Sequence, residues 1–268
     1  MMDFLQITND PVLARRCDAI PGMRLFVDLE INGKAERQAG RNTFISTHHL
    51  DDVGRIKAEL HRSKLMVRVN PLHAGTAKEL DAVLGQGADL VMLPMFHTPD
   101  ELQAFSRMVA GRVPIVALLE TAGALRSLDD WVNTPDLWEV FVGLNDLHLS
   151  LGCRFMFEPL AQGILDRLAV RVQSQGLRFG FGGIARLDEG LLPGRWVLAE
   201  HVRMGSEAVI LSRTFHRGEA AVSYESQVRP LRLAERELQA RTAHQMEADR
   251  LRTREAIEVI ALGMEHAA

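Results

Sequence analysis

Eight short apolar runs, rich in β-branched residues, recur along the 268-residue chain, and segments with helical spacing lie between them. The runs are Phe4–Thr8, Leu25–Leu29, Leu65–Val69, Leu90–Leu93, Ile115–Leu119, Val140–Gly143, Phe179–Gly182 and Ala208–Leu211. They are near-continuously apolar, not alternating, as strands covered on both faces should be. Asn9-Asp10-Pro11 puts a proline where a helix would start. Thr98-Pro99-Asp100-Glu101 has the hydroxyl and the acid of a capping box. Helical runs are expected at Leu50–His61, Thr76–Gln86, Glu101–Val109, Pro159–Gln175 and Trp196–Met204. Eight strands, each followed by a helix, make a (β/α)8 barrel of the α/β class. An open doubly wound sheet is the alternative, but eight strands in this length leave little room for it.

From about Gln227 the chain turns charged and rich in Ala and Leu, with no strand. The expected division is a barrel over 1–226 and a helical extension over 227–268, packed on the barrel or on a neighbouring subunit. The net charge of −4 gives no electrostatic case for nucleic acid. Cys17 and Cys153 lack metal-type spacing, so two reduced thiols in a cytoplasmic protein are expected. No basic segment followed by an apolar core opens the sequence, and no apolar stretch nears the roughly 20 residues that span a bilayer. No membrane partner is expected.

In a barrel, catalytic residues gather where the strands end. Those positions hold Thr8 and Asn9, Asp28 and Glu30, Arg68 and Asn70, Pro94 and Met95, Glu120, Asn145 and Asp146, Gly182 and Gly183, and Ser212 and Arg213. One carboxylate there can be a helix cap, but several on one rim repel unless a cation is shared. Carboxylate oxygens with positions left for water or substrate suit Mg²⁺ or Mn²⁺. Arg68 stands out in an apolar strand. It is either paired with Asp28 or Glu30 or aimed at a substrate carboxylate, for which its planar fork is suited.

The chain has four lysines: Lys34, Lys57, Lys64 and Lys78. Only Lys34, after the second strand, could approach the rim, so imine chemistry is not expected. A metal-stabilised enolate is the natural replacement. The stretch GFGGIARLD is either a phosphate-cradling loop or a set of tight turns. Among loop histidines, His48 and His49 before a helix start and His148 beyond Asp146 are the candidates for proton transfer.

FVDLE, VRVNP, GADLVMLPM, LLETAGAL and VGLNDLHLSLG, in this order, resemble the HpcH/HpaI aldolase and citrate lyase β-subunit family over about residues 24–155. The resemblance implies a modified barrel assembled as a homo-oligomer, a trimer or hexamer. It also implies cleavage or formation of a carbon–carbon bond with Mg²⁺ or Mn²⁺, on a 2-oxo acid or a CoA thioester. By resemblance the metal falls to Glu120 and Asp146, the substrate's carbonyl and carboxylate to Arg68, and the carboxylate also to the backbone of Gly143, Leu144, Asn145 and Asp146. Two positions depart from the pattern. Ile31 stands where the aldolase branch has a histidine base and the lyase branch an Asp, and Leu118 where aldolases have Gln. Proton transfer then falls to Glu30, His48 or His49, with Glu30 also ordering water. The expected function is a divalent-metal-dependent aldolase-type lyase on a 2-oxo acid. The alternatives are a citrate-lyase-like acyl-CoA lyase or thioesterase, and a barrel that binds a small acid without turning it over.

Overall fold

The computed structural model describes residues 1–33, 47–215 and 223–264. Lys34 lies outside the described residues. Eight parallel strands form a closed barrel in chain order, β1 to β8. The chain divides into two compact units, Leu5–Val140, and Met1–Phe4 with Phe141–Ala268.

Strand β1 is Asp3–Ile7, and helix α1 follows at Pro11–Asp18. Asp10 caps that helix by accepting from Val12 N, and Pro11 fills the first turn as its sequence foretold. Strand β2, Met23–Asp28, is buried along its whole length. Helix α2 (Leu50–Lys57), β3 (Leu65–Arg68), α3 (Thr76–Gly85), β4 (Leu90–Leu93), α4 (Pro99–Val109) and β5 (Ile115–Leu119) continue the alternation. At α4, Glu101 accepts from Thr98 N at 3.0 Å, which is the acidic arm of the expected capping box. Two short helices, α5 (Ala122–Arg126) and α6 (Leu128–Trp131), precede β6 (Leu137–Val142), and the apolar pattern did not foretell them.

The second unit runs through α7 (Leu144–Ser150), α8 (Glu158–Ala161), α9 (Ile164–Gln173), β7 (Arg178–Ile184), α10 (Gly194–Arg203) and β8 (Ala208–Leu211). The single helix expected over Pro159–Gln175 is two helices. Gly163 breaks it by adopting φ +69°, a left-handed conformation that glycine tolerates without strain. The GFGG stretch is neither a phosphate loop nor a set of turns, because it lies inside β7. A Cβ on Gly180 would sit 2.7 Å from Ala208 O and 2.8 Å from the Phe141 ring, so the glycine is what lets β7 approach its neighbours. Register between β7 and β8 is irregular from Gly180 to Gly183. Helix α11, Tyr224–Gln239, packs on α10, and α12, Ala243–Met264, packs on α8 and α10. No described helix is long and apolar enough to cross a membrane.

Buried polar side chains occur in both units. In the first unit Arg24 donates to both oxygens of Glu139 at 2.7 and 2.9 Å, and both residues are essentially inaccessible. Breaking such a pair strands a charge at about 3–5 kcal/mol, while an apolar replacement of both partners can be neutral. Urea denaturation of Glu139→Ala should therefore show a loss of about 3–5 kcal/mol, and Arg24→Met with Glu139→Leu should recover most of it.

In the second unit the His201 ring stacks on Phe181 at 3.6 Å between centroids, and its Nδ1 lies 2.8 Å from Ser206 Oγ. Burial lowers the pKa of His201 from 6.5 to about 3. The folded state favours the neutral ring, so the unfolded chain binds the extra proton between those two values. Stability is complete above pH 6.5 and declines as the pH falls toward about 3. His201→Leu should flatten that part of a melting-temperature against pH curve, although it lowers stability at pH 7.

Candidate functional site

Asp28 and Arg68 occupy one rung of the β2–β3 ladder, and side chains on a common rung leave the sheet on the same face. Arg68 Nε and Nη2 donate to the two Asp28 carboxylate oxygens, each at 2.8 Å. This is the bidentate fork that arginine alone can make. The third nitrogen, Nη1, lies 3.3 Å from Glu30 Oε2. Glu120 adds a further attraction. Asp28, Glu30 and Glu120 are 4%, 2% and 3% exposed, so this charge cluster is dry. Burial acts to weaken the Arg68 charge, but the pull of Asp28, then of Glu30 and Glu120, holds the guanidinium pKa above its ordinary value. The salt bridge is thus the geometry that the structure gives to Arg68.

Local backbone explains how the carboxylates are aimed. Glu30 N donates to Asp28 Oδ1 at 3.2 Å. Met95 N donates to Glu120 Oε1 at 3.0 Å, from a left-handed backbone with φ +53°. A non-glycine residue there carries strain of about 1–3 kcal/mol, and the strain is repaid in an amide directed at a buried carboxylate. Thr121 follows, accepting from Ala124 N and donating to Phe96 O, which fixes the chain just beyond Glu120. Met95 is among the strand-end positions, but the apolar pattern did not foretell its role, since that comes from a peptide N–H.

The histidines divide by what their rings already do. His48 is buried, and its Nδ1 accepts from Asp28 N at 3.1 Å. That bond requires the neutral ring with its proton on Nε2, so His48 cannot take up a proton at Nδ1 without releasing β2. His49 is exposed at the start of α2, where its N–H donates to Asp52 Oδ2 at 2.8 Å.

In the second unit Gly143 is the N-cap of α7, and Leu144, Asn145 and Asp146 form its first turn. Leu147 N makes the 3.0 Å bond to Gly143 O, and the first-turn N–H groups before it lack intrahelical acceptors. Asp146 is half-buried. His148 Nδ1 lies 2.9 Å from Leu144 O. A carbonyl only accepts, so Nδ1 carries the proton and Nε2 is the basic nitrogen. Among the described residues no three His, Cys, Asp or Glu side chains group as a metal cage. A cation taken here would complete its coordination with water or substrate oxygens.

The sequence model of the HpcH/HpaI aldolase/citrate lyase family matches residues 7–156, more than half of the chain. The chain belongs to this family. A (3S)-malyl-CoA thioesterase of Cereibacter sphaeroides strain KD131 is 30% identical over 135 residues, 49% of this chain and 47% of that protein. The chain thus spans about half the length of the curated relatives it matches. An HpcH/HpaI aldolase/citrate lyase family protein from Burkholderia cenocepacia J2315 aligns with TM-score 0.63 at 18% identity, covering 89% of this chain and 95% of that one. A citrate lyase β subunit from M. tuberculosis, complexed with oxaloacetate and magnesium, aligns with TM-score 0.57 at 16% identity, covering 90% and 97%. At these identities the structural likeness carries the barrel alone. The family match itself contains Asp28, Glu30, Arg68, Glu120 and Asp146.

Arg68→Met would leave Asp28, Glu30 and Glu120 buried without the guanidinium they share. Their repulsion and desolvation would cost stability while they are charged, and the cost would be relieved as protons return. Melting temperatures at pH 5 and pH 8 should show a deficit against the parent protein that is larger at pH 8. An equal deficit at both would mean that the three carboxyl groups are not electrostatically coupled through Arg68.

Proposed function

We propose that this protein is a divalent-metal-dependent carbon–carbon lyase of the aldolase type, acting on a 2-oxo acid. The observation that carries the reading is the charge of the rim in the first unit: three buried carboxyl groups share one guanidinium. If all are ionised, the three carboxylates and the guanidinium carry a net formal charge of −2, which suits a divalent cation. Oxygen donors of this kind suit Mg²⁺ or Mn²⁺. Glu120 and Asp146 are the residues that would hold it. A cation bound there would draw the oxygens of a 2-oxo acid and offset charge that develops as an enolate forms.

The chain's own residues supply the remainder. Arg68 keeps its fork on Asp28 and turns its Nη1 edge toward the reacting acid, orienting the carboxylate and stabilising the enolate. Backbone N–H groups from Gly143, Leu144, Asn145 and Asp146 hold the substrate carboxylate, because first-turn amides bind anions. Glu30 orders water and moves the proton beside Arg68. His48, with its Nδ1 already engaged, steadies Asp28 and does not act as the base. The working enzyme is proposed to be a homo-oligomer.

A second reading takes an acyl-CoA thioester as substrate, and it is favoured by the malyl-CoA thioesterase relative. Calorimetric titration with Mn²⁺ should find one site, weakened at least about tenfold in Glu120→Ala and in Asp146→Ala, as expected when one of few ligands is lost. Unchanged binding would remove these residues from the metal. With metal added, pyruvate release from 4-hydroxy-2-oxo acids would support the aldolase. Free thiol from malyl-CoA would support the thioester reading. Acid binding with neither turnover would leave a binding protein.

A further inference from the structure

Asn70, the residue that ends the VRVNP motif, has a side chain whose orientation is set by its neighbours. Its backbone N and its Nδ2 both donate to Glu79 Oε1, at 3.1 and 2.7 Å. A carboxylate accepts only, so the amide nitrogen must face Glu79 and Oδ1 must face away. Oδ1 then accepts from two consecutive peptides, Ile31 N and Asn32 N, both at 3.0 Å. Pro71 follows Asn70 and biases it to extended backbone, which favours one presentation of the side chain.

The chain of bonds extends one step back. Gly75 N donates to His73 Nδ1 at 3.0 Å, which places the ring proton on Nε2. His73 Nε2 lies 3.2 Å from Glu79 Oε2 and donates to it. Every group in the series therefore has a fixed direction, from the start of α3 to the loop after β2. That loop carries Glu30. Its own N–H is held by Asp28 and the next two N–H groups are held by Asn70.

We propose that Asn70 is a positioning residue, locked by Glu79, which fixes the backbone at Glu30 so that the carboxylate stays against Arg68. Its value to turnover rests on the function proposed above, but the clamp itself does not. Supporting shells of this type alter activity without touching substrate. The clamp reads backbone N–H groups, so it is indifferent to the side chain at position 31.

Hydrogen exchange of the full-length protein, followed by mass spectrometry, tests the clamp. Asn70→Ala and Glu79→Ala should each speed exchange at the Ile31 and Asn32 amides by about tenfold, as local opening becomes easier. Leu65–Arg68 should keep its protection. Glu79→Gln retains an acceptor for Asn70 and should restore the parent rate. Exchange unchanged in Asn70→Ala would overturn the proposal, as would loosening that spreads equally through β3. In metal-loaded enzyme, kcat should fall about 10–100-fold in Asn70→Ala, with Mn²⁺ affinity shifted less than about threefold and recovery in Glu79→Gln. A loosened loop with unchanged kcat would reject positioning. A parent enzyme silent on every substrate would reject the function instead, and the exchange rates would still decide the clamp.

Discussion

The guanidinium of Arg68 is the charge around which the first unit's rim is organised. Three carboxyl groups lie within its influence, and all are nearly inaccessible. Burying even one charge costs several kcal/mol unless it is paired. A single arginine can satisfy such a group only because its planar fork engages Asp28 with two nitrogens and leaves a third for Glu30. A lysine there would be a point charge with no means of doing both. The geometry also makes the cluster unequal: Asp28 is tightly paired, Glu30 is held at longer range, and Glu120 is steadied by a peptide N–H from Met95. The three carboxyl groups are thus held in three different ways.

The fold explains why such a cluster occurs where strands end. Strands buried on both faces leave no place along their length for a polar side chain without a dedicated partner. Arg24 and Glu139 illustrate the requirement, since each engages the other in the interior. At the strand ends the restriction relaxes. Loops supply N–H groups, and the in-register placing of Asp28 against Arg68 puts opposite charges on one rung.

Much of this was legible in the chain. The eight apolar runs foretold the strands because double-sided burial leaves a continuous pattern that needs no knowledge of partners. Asp10 and Glu101 marked helix starts through local chemistry. Glu120 was visible as an acid at the end of an apolar run. What stayed hidden depends on partners remote in sequence or on backbone alone. Arg24 and Glu139 are 115 residues apart, so nothing local announces the pair. Gly163 breaks a helix that the apolar spacing would continue, and the reason for a glycine at position 180, its close approach to β8, exists only in the folded sheet. Met95 acts through its own peptide N–H, and Asn70 through a side-chain oxygen that accepts from the peptide N–H groups of Ile31 and Asn32, groups that every position other than proline possesses.

That last distinction bears on position 31, where the resemblance implies a polar side chain. The side chain there is Ile31, and it is 59% exposed. A substitution at the rim would ordinarily be expected to disturb the residues beside it. Here the loop is held by the N–H groups of Ile31 and Asn32, not by their side chains. The backbone clamp therefore separates two things that position 31 might have coupled: where Glu30 sits, and what chemistry the next side chain offers. Losing the second leaves the first intact. A chain built this way can vary the side chain at position 31 without moving Glu30. The loop histidines are held in the same local way, His48 Nδ1 by the Asp28 N–H and His148 Nδ1 by Leu144 O.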